Sequence, residues 1–263
     1  MLRLGAPRTP DRTTGLRKTS IAHALQPLAQ KFDSHVALDP EDQAVLLSLS
    51  SRTREIPAGN YVVREFEKPN GCQVLLEGFA IRAKLSAVGS RQIIAVQLPG
   101  DALDLQHLYL DVADHNVIAL TKVTVAEVGR NELKALLERR INLMRAFIVE
   151  NAVEASISRE WLLNIGRRSG IERIAHLICE VAIRLERQQV ADMYGYVLPM
   201  TQEQLGDATG LTAVHVNRML KNLEKEGLIA RNRNKITITD WTGLSSLSAF
   251  DPTYLHLDRQ SLR

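Results

Sequence analysis

The sequence predicts an α+β fold in which an antiparallel β-roll is followed by a long helix and then by a small helical domain with a β-hairpin. Three observations support this order. Short apolar runs alternate with Gly and Pro over residues 55–129, an apolar helical period begins at Asn131, and two short helices precede two short strands over residues 201–239. A chain of 263 residues is long enough for two domains with separate cores.

Composition sets broad limits on the chemistry of the chain. The net charge of +3 permits an anionic partner but does not require one. Cys72 and Cys179 lie far apart and form no metal-binding pair, so neither a zinc site nor an iron–sulfur cluster is predicted. Two such thiols fit a reducing cytoplasm best, which is the predicted location. No apolar run approaches the roughly 20 residues that a membrane span requires, so no membrane partner is predicted.

The N-terminal residues 1–33 are predicted to form a basic, disordered arm. Their first 20 residues contain five basic side chains against one acidic side chain, and most of the rest are Pro, Gly and Thr. A transit peptide has a similar composition and stays an alternative. A short helix is expected to follow around residues 39–50, with Asp39 as its N-cap and Pro40 at its first position.

Residues 34–130 are assigned to the β-roll. Turn residues such as Gly59 and Gly78 separate five strand-like runs, which read NYVVREF, CQVLLEG, FAIRAKLSA, RQIIAVQL and VIALTKVTVAEV. Many short strands at this spacing are typical of an antiparallel barrel or roll.

Residues 131–165 are predicted to form one long helix that pairs with a second copy of the chain. Six residues with apolar side chains fall in one narrow stripe of this helix. Two of them are alanines, and Arg159 lies on the same stripe, so a close two-helix interface is favoured over a Leu-rich core. The alternative is a helix that packs only on its own domain. The predicted dimer interface comprises Ile141, Met144, Ile148, Ala152, Ala155 and Leu162.

Residues 166–245 are predicted to form a winged helix-turn-helix domain, and residues 246–263 a C-terminal tail. A helix around residues 170–187 opens the domain, and the polar, turn-rich stretch RQQVADMYGYVLP connects it to a pair of short helices. Two short strands, GLIAR and KITIT, follow the helix pair and are joined by NRN. Such a hairpin after a helix-turn-helix is the wing of a winged helix.

The helix pair carries local signals of a helix-turn-helix. Thr201 and Gln204 have the spacing of a capping box, Gly210 ends the first helix, and Thr212 can cap the second. The second helix gathers apolar residues on one face, and on the far side it presents an amide, a guanidinium and small apolar groups. Such groups read adenine, guanine and the thymine methyl in the major groove. The predicted base-reading residues are Ala213, Val214, Asn217 and Arg218.

Charge does not decide between DNA and protein as the partner of this domain, because residues 201–240 hold six Lys and Arg against five Asp and Glu. The alternative function is a β-roll signalling or adaptor protein whose C-terminal domain mediates protein contacts. The sequence contains no P-loop, nucleophile elbow or metal-ligand motif, so no catalytic residue and no metal ligand is predicted.

Residues 200–229 read MTQEQLGDATGLTAVHVNRMLKNLEKEGLI and resemble the DNA-binding domain of the Crp/Fnr superfamily of bacterial transcription regulators. IPAGNYVVREFE, VLLEGFAIRAKL, GSRQIIAVQLPGD and IGRRSGIERIAHLICEVAIRL are similar to the same family, and FDPTYLHL is similar to the tail of one branch of it. The resemblance implies a cyclic-nucleotide-binding-type β-roll, a long dimer helix and a winged helix. It also implies three partners, which are pseudo-palindromic double-stranded DNA, a second copy of the chain and RNA polymerase.

The resemblance also assigns roles to residues of the helix pair. Ala213, Val214 and Arg218 match the base-reading places. Ala213 and Val214 stand where the cyclic-AMP receptor has Arg and Glu. The operator sequence of that receptor is therefore not predicted for this chain. With the basic residues of the second helix and the wing, the predicted phosphate contacts are Thr201, Gln202, Thr212, His215, Lys221, Arg231 and Arg233.

The sensor part departs from the family members that bind cyclic nucleotides. In those proteins the PGD motif is followed by a Gly-Glu pair and, further along the chain, by an Arg-Ser or Arg-Thr pair. Asp104 and Leu105 stand at the first place, and His115 and Asn116 lie near the second. Residues 92–121 contain no Lys or Arg, so a cyclic phosphate would meet acidic side chains without a basic partner. No cofactor is therefore predicted: cyclic AMP is not expected to bind, and two cysteines are too few for the family's iron–sulfur sensor.

Other sensing chemistries are weaker expectations. Arg82 can reach the pocket from a strand, but one arginine is little support for an anion site. Cys179 is predicted to be a core residue, whereas Cys72 follows a glycine in a turn, where a redox role is an alternative. His107 and His115 lie eight residues apart on a predicted loop, and because surface and core histidines are common, no metal is predicted there.

Overall fold

The computed structural model describes residues 24–187, 195–233 and 235–257 of the chain. The helices found there are α1 (Gln26–His35), α2 (Pro40–Leu47), α3 (Arg130–Arg139), α4 (Ile141–Arg167), α5 (Gly170–Arg187), α6 (Gln202–Thr209), α7 (Ala213–Lys225) and α8 (Trp241–Ser248), with 3₁₀ turns at Leu105–Leu108 and Pro252–Leu255. The strands are β1 (Ser51–Ile56), β2 (Tyr61–Val63), β3 (Gly71–Glu77), β4 (Ala80–Leu85), β5 (Arg91–Gln97), β6 (Asn116–Ala119), β7 (Val123–Gly129), β8 (Gly195–Val197), β9 (Ile229–Asn232) and β10 (Lys235–Ile238). This order confirms the predicted α+β architecture.

The β-roll consists of two antiparallel sheets whose apolar faces share one core. One sheet has the strand order β1-β7-β3, and the other has the order β2-β6-β4-β5. Leu75 of β3, Val117 of β6 and Val125 of β7 are fully buried in this core. The first four strand-like runs therefore mark β2 to β5 correctly. The fifth run, VIALTKVTVAEV, is not one strand, because residues 120–122 separate β6 from β7, which lie in different sheets.

Strand β1 has no strand signal in the sequence, because its residues SRTREI are mostly polar. It pairs with β7 along its whole length, from Ser51 opposite Val128 to Ile56 opposite Val123. Ile56 is buried, whereas the other β1 side chains are half-buried or exposed. Strand β1 is therefore held in the sheet by its main-chain hydrogen bonds to the apolar strand β7, and not by a buried apolar face of its own.

Helix α1 corrects the prediction of a disordered arm over residues 1–33. Leu28 and Phe32 lie one turn apart on α1 and are fully buried in a core shared with α4 and β3. This four-residue spacing of apolar side chains is the sequence signal of the helix, and the basic segment before it obscured that signal. Residues 1–23 lie outside the described part of the chain, so the arm there stays a prediction.

Buried ion pairs attach α1 to the rest of the β-roll. Lys31 Nζ lies 2.8 Å from Asp101 Oδ1 and 2.7 Å from Glu150 Oε1, and His35 Nε2 lies 2.6 Å from Glu150 Oε2. Asp101 also lies 2.7 Å from Arg184 Nη2. Burial alone would raise the pKa of Asp101, but Lys31 and Arg184 outweigh it and lower that pKa to about 2. Asp101 of the PGD motif therefore joins α1, α5 and the sheet.

The predicted single helix over residues 131–165 is two helices, α3 and α4, with a break at Arg140. The backbone of Arg140 is extended, with φ −123° and ψ 101°. Its side chain binds the first turn of α2, because Nε lies 2.8 Å from Asp42 Oδ1 and Nη1 lies 2.9 Å from Glu41 Oε1. The six predicted interface residues all lie on α4.

The C-terminal domain packs α6, α7 and α8 around α5, and a three-stranded sheet with the order β8-β10-β9 completes it. The predicted wing is confirmed as the β9–β10 pair. Strand β8, in contrast, lies inside the predicted connector, where Tyr196 stands opposite Ile236 of β10. Three residues are too few to give a sequence pattern, so this strand depends on its partner.

The predicted tail over residues 246–263 is part of the domain as far as Leu257. Helix α8 crosses the boundary drawn at residue 245, and its N-cap Asp240 accepts a hydrogen bond from the Gly243 N–H. Further on, Leu255 is buried, and the Tyr254 hydroxyl donates to Glu180 Oε2 of α5 at 2.8 Å. Among the described residues, no helix has the length and apolarity that a membrane crossing requires.

Candidate nucleic-acid interface

The capping signals of the helix pair are confirmed. Thr201 Oγ1 accepts a hydrogen bond from the Gln204 N–H at 3.1 Å, and Gln204 Oε1 accepts one from the Thr201 N–H at 2.8 Å. Gly210 ends α6 in the left-handed region with φ 67°. Thr212 Oγ1 then accepts from the His215 N–H at 3.3 Å at the start of α7. These local contacts fix where the second helix begins.

The turn between α6 and α7 packs closely against Gly206. A Cβ atom at this position would lie 2.4 Å from the main-chain oxygen of Leu211, in the turn between the helices. The Leu211 N–H in turn donates to the Gly206 oxygen at 3.1 Å. Only a residue without a side chain lets the turn pack directly on α6.

We expect Gly206→Ala to lower the free energy of unfolding by about 1–3 kcal/mol, because the methyl group would overpack the turn. Urea unfolding of the variant and the wild type measures this difference. Gly166→Ala is the matched control, since no atom lies within 4 Å of a Cβ at that helical position. An unchanged unfolding midpoint for Gly206→Ala would contradict the tight packing of the two helices.

Helix α7 buries one face and leaves the predicted reading face in solvent. Val216, Leu220 and Leu223 are buried against the domain core, as the sequence predicts. On the other side, Val214 is 79% exposed, and Arg218 is exposed. Within the described residues, the Arg218 side chain makes no ion pair or hydrogen bond. Ala213 is also exposed, and Asn217 is half-buried at the border of the two faces.

Most of the predicted phosphate contacts surround this reading face and are exposed to solvent. Arg231 differs, because its Nη2 lies 2.6 Å from Glu224 Oε2 and joins β9 to α7. The hydrogen bond from Arg231 lowers the pKa of Glu224, so this ion pair is kept at neutral pH. The exposed members of the set are Thr201, Gln202, Thr212, His215, Lys221 and Arg233.

The predicted dimer stripe of α4 faces solvent in the single chain. Ile148 is 56% exposed and Leu162 is 73% exposed, although the opposite face of α4 is buried through residues such as Phe147 and Trp161. Exposed large apolar side chains on one helix face are typical of a surface that contacts another molecule. Ile141, Ala152 and Ala155 are exposed as well, whereas Met144 is half-buried and packs on the core beside α1.

Arg82, the basic side chain that the sequence places near the predicted pocket, is already engaged by protein groups. Arg82 is buried, and its Nη2 donates to Glu154 Oε1 at 2.8 Å and to the Leu103 oxygen at 3.0 Å. Asp104 Oδ1 accepts from the Gln73 N–H at 2.7 Å, and burial raises the pKa of Asp104 to about 7. Arg82 is therefore held by protein groups and is not directed to a ligand.

Both cysteines are buried, and Cys72 lies in a strand rather than in the turn that the sequence predicts. Cys72 lies in β3, where it is 1% exposed, and burial raises the pKa of its thiol well above the ordinary value. Burial likewise raises the pKa of Cys179 to about 12, as expected for a core residue. A protonated, buried thiol is a poor nucleophile, so neither cysteine has the environment of a redox sensor.

Comparison with known proteins connects this geometry to a family. Residues 160–247 match the model of the Crp-like helix-turn-helix domain, and residues 53–140 match the model of the cyclic nucleotide-binding domain. The nitrogen fixation regulation protein FixK of Bradyrhizobium diazoefficiens is 31% identical over 195 residues, which cover 73% of this chain and 80% of that protein. The chain belongs to the Crp/Fnr family of transcription regulators.

Further relatives of this Crp/Fnr regulator agree in fold and activity. The transcriptional activator protein FnrL of Cereibacter sphaeroides is 25% identical over 210 residues, which are 78% of this chain and 84% of that protein. The structure of FixK2 from Bradyrhizobium japonicum superposes with a TM-score of 0.72 at 25% identity, and covers 77% of this chain and 100% of that one. The predicted β-roll, long helix and winged helix-turn-helix are thus confirmed.

The family decides between the two functions that the sequence left open. A Crp-like helix-turn-helix domain and relatives that are transcriptional activators make this chain a DNA-binding transcription regulator. The alternative, a signalling or adaptor protein whose C-terminal domain contacts other proteins, has no support among these relatives. The exposed face of α7 is therefore the candidate DNA-reading surface of a Crp/Fnr regulator.

Proposed function

We propose that this regulator binds a pseudo-palindromic double-stranded DNA site as a homodimer, with α7 of each copy in a major groove. The observation that carries the proposal is the pair of unpartnered surfaces, the apolar stripe of α4 and the reading face of α7. Pairing of α4 with its copy would bury the stripe. Dimeric helix-turn-helix proteins place their half-sites about 34 Å apart, one turn of the double helix.

The proposed DNA contacts divide into positioning and reading groups. Threonine hydroxyls and main-chain N–H groups at the starts of α6 and α7 suit phosphate oxygens, as do the exposed basic residues Lys221 and Arg233. Arg231 is occupied by Glu224, so we assign the phosphate contact of the wing to Arg233 rather than to Arg231. Sequence reading falls to Arg218 and Asn217, with Ala213 and Val214 against thymine methyl groups.

A mobility-shift assay with genomic fragments at two stated salt concentrations tests the proposed function. We expect a small set of fragments to be retained, and footprints on them should show two half-sites related by a two-fold axis. Specific sites are typically about 10³–10⁷ times tighter than non-specific DNA. Equal retention of all fragments, with the same salt dependence, would contradict sequence-specific binding by this chain.

We also propose that cyclic AMP is not the effector of this β-roll. Arg82 is engaged by Glu154 and main-chain oxygens, and the buried Asp104 stands where the family members that bind cyclic nucleotides have glycine. An anion at this place would have to displace an ion pair or meet a carboxylate. Calorimetry should therefore detect no cyclic AMP binding tighter than about 10 μM. A lower dissociation constant would refute this part of the proposal.

The remaining assignments follow from the proposed action on DNA. The regulator would work in the cytoplasm, where the DNA and RNA polymerase of a bacterium are found, and polymerase is its proposed protein partner. No catalytic role is assigned to any residue, in keeping with relatives that are transcriptional activators.

A further inference from the structure

Two histidines and an aspartate of the β-roll meet at one place beside the 3₁₀ turn Leu105–Leu108. The rings of His107 and His115 are stacked, with centroids 5.5 Å apart and planes inclined by 25°. Asp114 Oδ1 lies 2.8 Å from His115 Nδ1 and 3.9 Å from His107 Nε2. One ligand atom from each of the three residues lies within 4.8 Å of the other two. The fold therefore brings His107 next to Asp114 and His115, which lie seven and eight residues further along the chain.

The ring nitrogens of this cluster lack the partners that buried polar atoms normally have. His107 is 1% exposed, and neither of its ring nitrogens has a hydrogen-bond partner within the described residues. His115 is also buried, and its Nε2 likewise has no hydrogen-bond partner within the described residues. Buried polar groups in proteins are almost always satisfied by protein, water or an ion. Two adjacent imidazoles with three unpaired nitrogens thus indicate a bound species.

The charge around the cluster suits a cation. The positive charge of the nearby Arg82 is paired with an acidic group, since its Nη2 lies 2.8 Å from Glu154 Oε1. Among residues 92–121 there is no Lys or Arg, whereas several aspartates are present.

The remaining nearby cations are also matched by acidic groups. Arg130 Nη2 lies 3.0 Å from Asp111 Oδ1. Lys84 Nζ lies 2.6 Å from Glu65 Oε1 and also donates to the main-chain oxygen of Asp114. Since each of these positive charges has its own acidic partner, the repulsion that a metal ion would meet here is reduced.

We propose that His107, Asp114 and His115 bind a divalent first-row transition metal ion. Two imidazoles and one carboxylate suit zinc, iron, nickel or copper rather than magnesium or calcium. Three protein ligands leave a further position for water or an effector molecule. Zinc–nitrogen bonds are about 2.1 Å long, so ligand atoms up to 4.8 Å apart must draw closer on binding. Asp114, with its side chain 71% exposed, is the ligand on the solvent side of the cluster.

Titration of the tag-free, full-length chain with metal tests this proposal. The chain is treated with a chelator, desalted and titrated with ZnCl₂ by calorimetry and with CoCl₂ by visible absorption. We expect one ion per chain, a zinc dissociation constant below about 10 μM, and Co²⁺ absorption bands of a bound ion. Absence of binding at this concentration in the wild-type chain would overturn the proposal.

Single substitutions test which residues bind the ion. Asp114→Asn should weaken zinc binding at least about tenfold without affecting the fold, because loss even of an outer-shell partner costs about 10–100-fold. Asp111→Asn is the matched control, because it removes an exposed carboxylate of the same loop that lies outside the cluster. It also removes the acidic partner of Arg130, so it should weaken zinc binding, but clearly less than Asp114→Asn does. His107→Gln should abolish the cobalt bands, with circular dichroism to check its fold.

If His107→Gln does not fold, the test depends on Asp114→Asn, because Asp114 is exposed. Wild-type affinity in Asp114→Asn would then overturn the proposed site, as would equal losses in Asp114→Asn and Asp111→Asn. The proposal does not depend on DNA binding. A chain that binds metal but shifts no DNA fragment would contradict the proposed function only, and a chain with the reverse behaviour would contradict the metal site only.

Discussion

Replacement of Ile148 by Arg is expected to give a monomer that binds operator DNA at least about 100-fold more weakly than the wild-type chain. Ile148 lies in the middle of the α4 stripe and is 56% exposed in the single chain, so an arginine is tolerated there before assembly. In the dimer the two guanidinium groups would be buried without acidic partners, and the desolvation penalty is several kcal/mol per ion. A tenfold loss of affinity corresponds to about 1.4 kcal/mol, so even half of this penalty gives the predicted effect.

Sedimentation and DNA binding are measured together in this experiment. Val88→Arg is the matched control, because it adds the same charge at an exposed apolar residue in the turn between β4 and β5. This control should stay dimeric and bind DNA like the wild type. An Ile148→Arg chain that sediments as a monomer but keeps wild-type DNA affinity would show that α4 pairing is not needed for binding.

Features that depend on neighbouring residues were predictable from the sequence. The faces of α7 follow from the helical period and from Thr212 as N-cap, and both agree with the structure. The same holds for Asp39 at the start of α2 and for Gly210 at the end of α6. In each case the signal and its structural effect lie within one or two turns, so no knowledge of the tertiary fold is required.

Features that depend on distant residues were not predictable. Arg140 interrupts the long helix because its guanidinium binds Asp42, 98 positions earlier in the chain. Strands β1 and β8 are defined by β7 and β10 rather than by their own side chains. The contact between His107 and His115 likewise depends on where β6 begins, since a spacing of eight residues on a loop predicts no distance.

Arg218 is expected to supply much of the sequence preference of this regulator. It lies on the exposed side of α7 and has no intramolecular partner among the described residues. An alternative role for Arg218 is an ion pair with Glu224, but Glu224 Oε2 is engaged by Arg231 at 2.6 Å. The guanidinium fork suits O6 and N7 of guanine, whereas Ala213 and Val214 are too short to form hydrogen bonds with bases. Discrimination should therefore depend on Arg218, with help from Asn217.

Arg218→Ala should cost about 1–3 kcal/mol on the cognate site and relax the preference at one position of each half-site. Lys221→Ala is the matched control on the same helix, because a phosphate contact should weaken binding to all sequences alike and reduce the salt slope by about one unit. Affinities are measured on the cognate site, a single-base variant and random DNA, each at two salt concentrations. Equal losses on all three DNAs for Arg218→Ala would assign Arg218 to the phosphate backbone, and base reading would then fall to Asn217.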